Sequence, residues 1–208
     1  MHDLRRALSD IDSIRQQLAA GTMFRGFGPA VIAATGILAL ATAGAQSIWL
    51  DDPGREPFAF FAGWVFAAIV SAGLIGAEML ARSRRHHCGL ADAMILNAIG
   101  QFLPAGVAGA AIGLVLLAFA PATLWLLPGL WLVLVGLGIF ASMRSLPRTI
   151  ALAGTWYFAA GVGVLILSSQ TQALSPWTMG LPFAVGQLLM AAILHFAYGA
   201  YGADDDEG

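Results

Sequence analysis

Lysine is absent from this chain, and charge of either sign is scarce. All ten basic residues are arginine, and charged residues make up 11% of the 208 positions. Soluble domains carry about 25% charged residues. A chain with so little charge and 59% hydrophobic residues lacks the polar surface that water requires, so lipid is its expected solvent. The missing lysine excludes a lysine Schiff base, and with it retinal or pyridoxal chemistry of the usual kind. A single cysteine, Cys88, excludes an intrachain disulfide framework. The net charge of −2 argues against a nucleic-acid partner, which needs a basic face. No carboxylate falls deep in any apolar run. That removes the paired aspartates of intramembrane proteolysis, leaves Ser71 without a Ser–His–Asp set, and counts against strong proton or sodium coupling.

What is present is a series of long apolar runs. A helix needs about 20 apolar residues to cross the hydrocarbon core, and six runs meet that length. They are Phe27–Leu50, Pro57–Leu80, Ala91–Ala118, Ala122–Met143, Thr149–Ser168 and Trp177–Tyr198. The fold class is therefore an all-α integral membrane protein with six transmembrane helices. Residues 26–200 form the membrane domain. Ala120-Pro121-Ala122-Thr123 makes a tight hairpin between the third and fourth runs, where proline's missing donor does no harm. An alternative treats Ala43-Gly44-Ala45 as a signal-peptide cleavage site. The stretch before the first run is long for that role and has a helical pattern of its own.

Arginine sets the orientation. Arg5, Arg6, Arg15, Arg25, Arg82, Arg84, Arg85, Arg144 and Arg148 fall on one side of six alternating spans. Only Arg55 falls on the other, beside Asp51, Asp52 and Glu56. The positive-inside rule then places both termini in the cytoplasm, as expected of a bacterial inner-membrane protein. Residues 1–25 differ in kind. Leu4, Leu8, Ile11 and Leu18 recur at helical spacing, so Asp3–Ala20 reads as an amphipathic helix. Such a helix lies on the inner leaflet, packs on the bundle or binds a cytoplasmic protein partner. Residues 201–208 form an acidic tail.

Two stretches echo each other. Ala98-Ile99-Gly100-Gln101-Phe102-Leu103-Pro104-Ala105-Gly106 resembles Ala184-Val185-Gly186-Gln187-Leu188-Leu189-Met190-Ala191-Ala192. Around Trp64, Ala62–Ala68 resembles Ala153–Ala160, which holds Trp156 and Tyr157. Two three-span repeats, 26–118 and 122–200, would be inverted relative to one another, the plan of many secondary transporters. Gln101 and Gln187 then fall near the midplane, beside Pro104 and Pro182, each of which frees a backbone carbonyl. Together with Asn97, Trp64, Trp156, Tyr157 and His195 they form the candidate ligand-binding set. Interhelical hydrogen bonding explains the same glutamines without a ligand.

A metal site has weak candidates in Glu78, His86, His87, Cys88 and Asp92, whose spacing is poor for four-ligand coordination. No cofactor is implied. Trp49, Trp125, Trp131 and Trp177 fit an interfacial aromatic belt. Gly109 and Gly113, with Gly154, Gly161 and Gly163, permit close helix approach, including a homodimer. Three functions follow. The first is a permease or carrier for a neutral or weakly polar small molecule. The second is a membrane sensor or regulatory subunit. The third is an enzyme acting on a lipid-like substrate at the cytoplasmic face.

Overall fold

A computed structural model describes the backbone of residues 28–85, 90–145 and 148–204, and the side chains of residues 28–81, 100–143 and 149–196. The N-terminal segment Asp3–Ala20, the candidates His86, His87 and Cys88, and residues 205–208 lie outside the described residues. So do the side chains of Asp92 and Asn97.

Six long helices account for nearly all the described chain. They are α1 (Pro29–Trp49), α2 (Pro57–Arg85), α3 (Leu90–Phe119), α4 (Leu127–Ala141), α5 (Ala151–Thr171) and α6 (Pro176–Asp204). Each contains, or with its leading turn contains, a stretch long and apolar enough to cross a membrane. The chain is an all-helical polytopic membrane protein. α1 and α6 start with proline at their first position, where the missing N–H has no intrahelical partner to lose. The hairpin at Pro121 is a six-residue 3-10 turn, Pro121–Leu126, that runs straight into α4. Both the backbone N–H and the hydroxyl of Thr123 donate to the Ala120 carbonyl, at 2.9 and 2.8 Å. α5 runs three residues beyond the expected Ser168, and Gln172 caps it in the left-handed region, with φ of 51°. Pro104 and Pro182 lie inside unbroken helices.

The helices pair unequally. α1 packs chiefly on α6, and α4 on α5; α3 leans on α4 and α2 on α1, while α2 and α3 scarcely touch. Small residues make the two strong pairs. A Cβ on Gly180 would press on Ala43, and one on Gly36 would meet Gln187 Cβ at 3.0 Å. Between α4 and α5, Gly129 faces Gly161 and Gly136 faces Gly154, backbone to backbone. In lipid, such contact is driven by dispersion rather than by exclusion of water. Two buried clusters result. Phe60, Phe61, Leu124 and Leu127 gather toward the Pro121 side. Ile32, Ile139, Ile150 and Leu194 gather toward the side where α1 begins.

These contacts also fix depth. Gln187 lies level with Gly36, near the start of α1, and Phe102, next to Gln101, lies level with Gly138, near the end of α4. In alternating spans those two helix ends share one side of the bilayer. An in-plane two-fold axis would put equivalent residues at equal distances on opposite sides. The two glutamines sit in the same half, so their sequence match gives an inverted repeat no geometric support.

Candidate functional site

Because α2 and α3 diverge, the bundle holds a cavity of about 420 Å³ on that side. Ala39, the central residue of α1, and Phe183 form its floor at mid-depth. α2 lines it from Trp64 to Ala72 and α3 from Phe102 to Ala110, each about 12 Å of helix. Trp131 and Val135 of α4 complete the wall. Val65, Ile69 and Phe102 on the rim are exposed, so the opening faces the surroundings of the bundle, which in a membrane are lipid. Small residues create the space: Ala67, Ala68, Ala72, Ala105, Gly106 and Gly109 all line it.

The walls are almost wholly apolar. Among the described residues, Thr35 and Ser71 are the only hydroxyl residues on them. The Thr35 hydroxyl donates to the Ile32 carbonyl at 2.7 Å. Trp131 is held by its own bond, Nε1 donating to Gly109 O at 3.0 Å, and packs edge-on against Phe61 at 5.6 Å. Trp131 is thus a wall residue of a cavity, not a member of the interfacial belt expected from the sequence. Trp49 and Trp177 are exposed, as a belt requires.

The expected site residues separate into groups. Trp64 lines the cavity and is 4% exposed. Trp156 and Tyr157 do not line it. They tie α5 to α6, Trp156 Nε1 donating to Pro182 O at 2.9 Å and the Tyr157 hydroxyl to Phe183 O at 3.0 Å. Tyr157 also packs on the backbone of Gly186 and approaches the Gln187 side chain. This knot holds the Phe183 ring, which does reach the cavity, edge-on to Tyr157. Gln187 is 8% exposed, wedged against α1, and its Oε1 has no hydrogen-bond donor. Gln101 is half-buried and, like Gln187, absent from the cavity wall. α3 and α6 share no substantial packing. His195 is exposed, its ring against Phe196. Glu78 is half-buried. Among the described residues, no three histidine, cysteine or carboxylate side chains gather to hold a metal ion.

Sequence reasoning missed Gln46, Phe102 and Phe183. Gln46 is buried, and its Nε2 donates to Phe60 O at 2.8 Å, joining α1 to α2. Its signal was present: Thr35, Ala39, Ala43 and Gln46 recur at helical spacing, a small-residue stripe ending in an amide. Comparison with protein-family models, curated proteins and solved structures returns no match.

Proposed function

We propose that this membrane protein takes a neutral small molecule with a largely apolar body from the bilayer into the midplane cavity, and acts as its carrier. The cavity carries the reading: it lies at mid-depth, it is apolar, and it opens laterally between two helices that barely pack. Its volume of about 420 Å³ falls in the range of small-molecule pockets. Apolar walls with no carboxylate or arginine among the described residues disfavour an ion. A purely apolar molecule crosses hydrocarbon unaided, so a cargo that benefits from carriage keeps some polar character.

Photo-crosslinking in bilayer nanodiscs tests uptake. Benzophenone is expected to label Met179, on the cavity wall, in a saturable manner. Filling the cavity with Ala68→Phe and Ala110→Leu removes that adduct while labelling of lipid-facing Leu103 continues. Labelling of Met179 that never saturates, or that survives both substitutions, overturns the reading. Carriage is then read in proteoliposomes, as faster exchange of a neutral NBD-labelled monoacylglycerol between leaflets than in protein-free vesicles. The sensor alternative rests on segments outside the described residues. Its test is loss of a co-purifying partner when residues 1–20 are deleted.

A further inference from the structure

We infer that the molecule held in the cavity is an uncharged amphiphile with a hydrogen-bond acceptor, a carbonyl or ether oxygen on an otherwise apolar body, and that the Ser71 hydroxyl receives that oxygen. This rests on the uptake reading above and narrows it to a ligand chemistry.

Hydroxyls inside a membrane helix can donate to a carbonyl three or four residues back. Thr35, Thr42, Ser142 and Thr155 all do so. Ser71 does not, and it has no other hydrogen-bond partner among the described residues. It is half-buried on the cavity wall. The fully buried unpaired side-chain atoms among the described residues are Gln46 Oε1, Trp64 Nε1 and Gln187 Oε1, all closed to a ligand; the Ser71 oxygen is not one of them and keeps surface. The helix turns that surface toward the cavity. Each residue advances about 100°. Ser71 therefore stands about 60° from Ala68, at the centre of the α2 lining, and about 160° from the exposed rim residue Ile69. Ser71 also lies about 3 Å from the middle of the span Pro57–Ala81. At that depth neither water nor a lipid headgroup supplies a partner, so an open hydroxyl is costly. The other wall hydroxyl, Thr35, already donates to Ile32 O. One neutral hydroxyl does not offset the desolvation of an ion. The occupant that fits supplies one acceptor at Ser71 and apolar surface along the two turns of α2 to Trp64.

The test compares benzophenone with diphenylmethane, which share their two rings and differ in the carbonyl. In nanodiscs holding the full chain, benzophenone is expected to bind about three- to ten-fold more tightly, the range of one net hydrogen bond. Ser71→Ala removes only the hydroxyl and brings the ratio toward one. Thr35→Val removes the hydroxyl already bonded to Ile32 O and leaves the ratio as it was. The infrared carbonyl band of bound benzophenone is expected below its position in cyclohexane, and to return there in Ser71→Ala. The shift is read first in the unmodified protein, so the inference stays testable even where a variant fails to fold. A ratio that survives Ser71→Ala, or that falls with Thr35→Val alone, overturns the assignment to Ser71. Equal binding of both probes with an unshifted band, the result if the Ser71 hydroxyl turns back onto Ala67 O, overturns the acceptor inference and leaves uptake standing. No saturable binding of either probe overturns both.

Discussion

Gly161 and Gly163 lie two residues apart on α5 and tolerate a methyl group very differently. A Cβ on Gly161 would lie 2.8 Å from both the Gly129 carbonyl oxygen and the Val133 backbone nitrogen, whereas Gly163 has nothing within 4 Å. Beside the Val133 side chain, two of these neighbours are backbone, so α4 and α5 must separate to admit the methyl. Gly161→Ala is expected to cost about 1–3 kcal/mol. Gly163→Ala is expected to be neutral or to stabilise by up to about 1 kcal/mol through helix propensity. Reversible unfolding in mixed micelles checks both; equal effects contradict the packing. The sequence marks both glycines as small. The seven-residue spacing of Gly154 and Gly161 places those two on one helical face and Gly163 on another. Which helix that face meets is not in the spacing, because small residues announce a close approach without naming the partner. The same limit hid the role of Gln46, whose bond to Phe60 O, fourteen residues on in the chain, joins α1 to α2.

At the scale of the element, α3 has the most exposed membrane-spanning stretch of the six. Little of its membrane-spanning window is buried in the bundle, and its main neighbour is α4. One side chain does much of that joining. Trp131 rests across Gly109 and Gly113, its ring 3.5 Å from where a Cβ would stand on each, and its N–H reaches the Gly109 carbonyl. Trp131→Phe keeps the ring contact with Phe61 and loses the hydrogen bond. The expected cost is about 0.6–2 kcal/mol, with Trp177→Phe, on an exposed residue, as the control without cost. Urea or detergent titration of the two variants reads the difference. The Gly109–Gly113 pair was legible as a site of close approach, and its occupant is an indole from the next helix. Apolar run length located every helix, since the cost of an unpaired backbone in lipid leaves little else to choose. The cavity was not legible. It comes from the divergence of α2 and α3, a property of how helices lean, and the alanines that line it resemble those that pack helices elsewhere. The glutamine match is limited for a related reason. Identity of local sequence carries no depth, and depth is what an inverted repeat must satisfy.

For the whole molecule, the decisive asymmetry is arginine. An even number of spans puts both ends of the membrane domain on one side, the side that carries nine of the ten arginines. On the other side, Arg55 is paired with Asp52 at 3.2 Å on an exposed turn, where Asp52 also accepts the Gly54 N–H. With Asp51 and Glu56 alongside, that turn has no net positive charge to hold it in the cytoplasm. Because translocation of arginine is what the membrane potential and the insertion machinery resist, this loop is the one expected to cross. In a Cys88→Ala background, Arg55→Cys should react with a membrane-impermeant maleimide on intact cells. Gly208→Cys should react only after the membrane is opened. The cavity makes this orientation consequential. Trp64 lies toward the Pro121 side of the midplane and Ser71 toward the other, so the same labelling assigns which leaflet lies nearer the Trp64 end of the cavity. Labelling of Gly208→Cys from outside would reverse that assignment and the arginine argument together, while leaving the helix packing untouched.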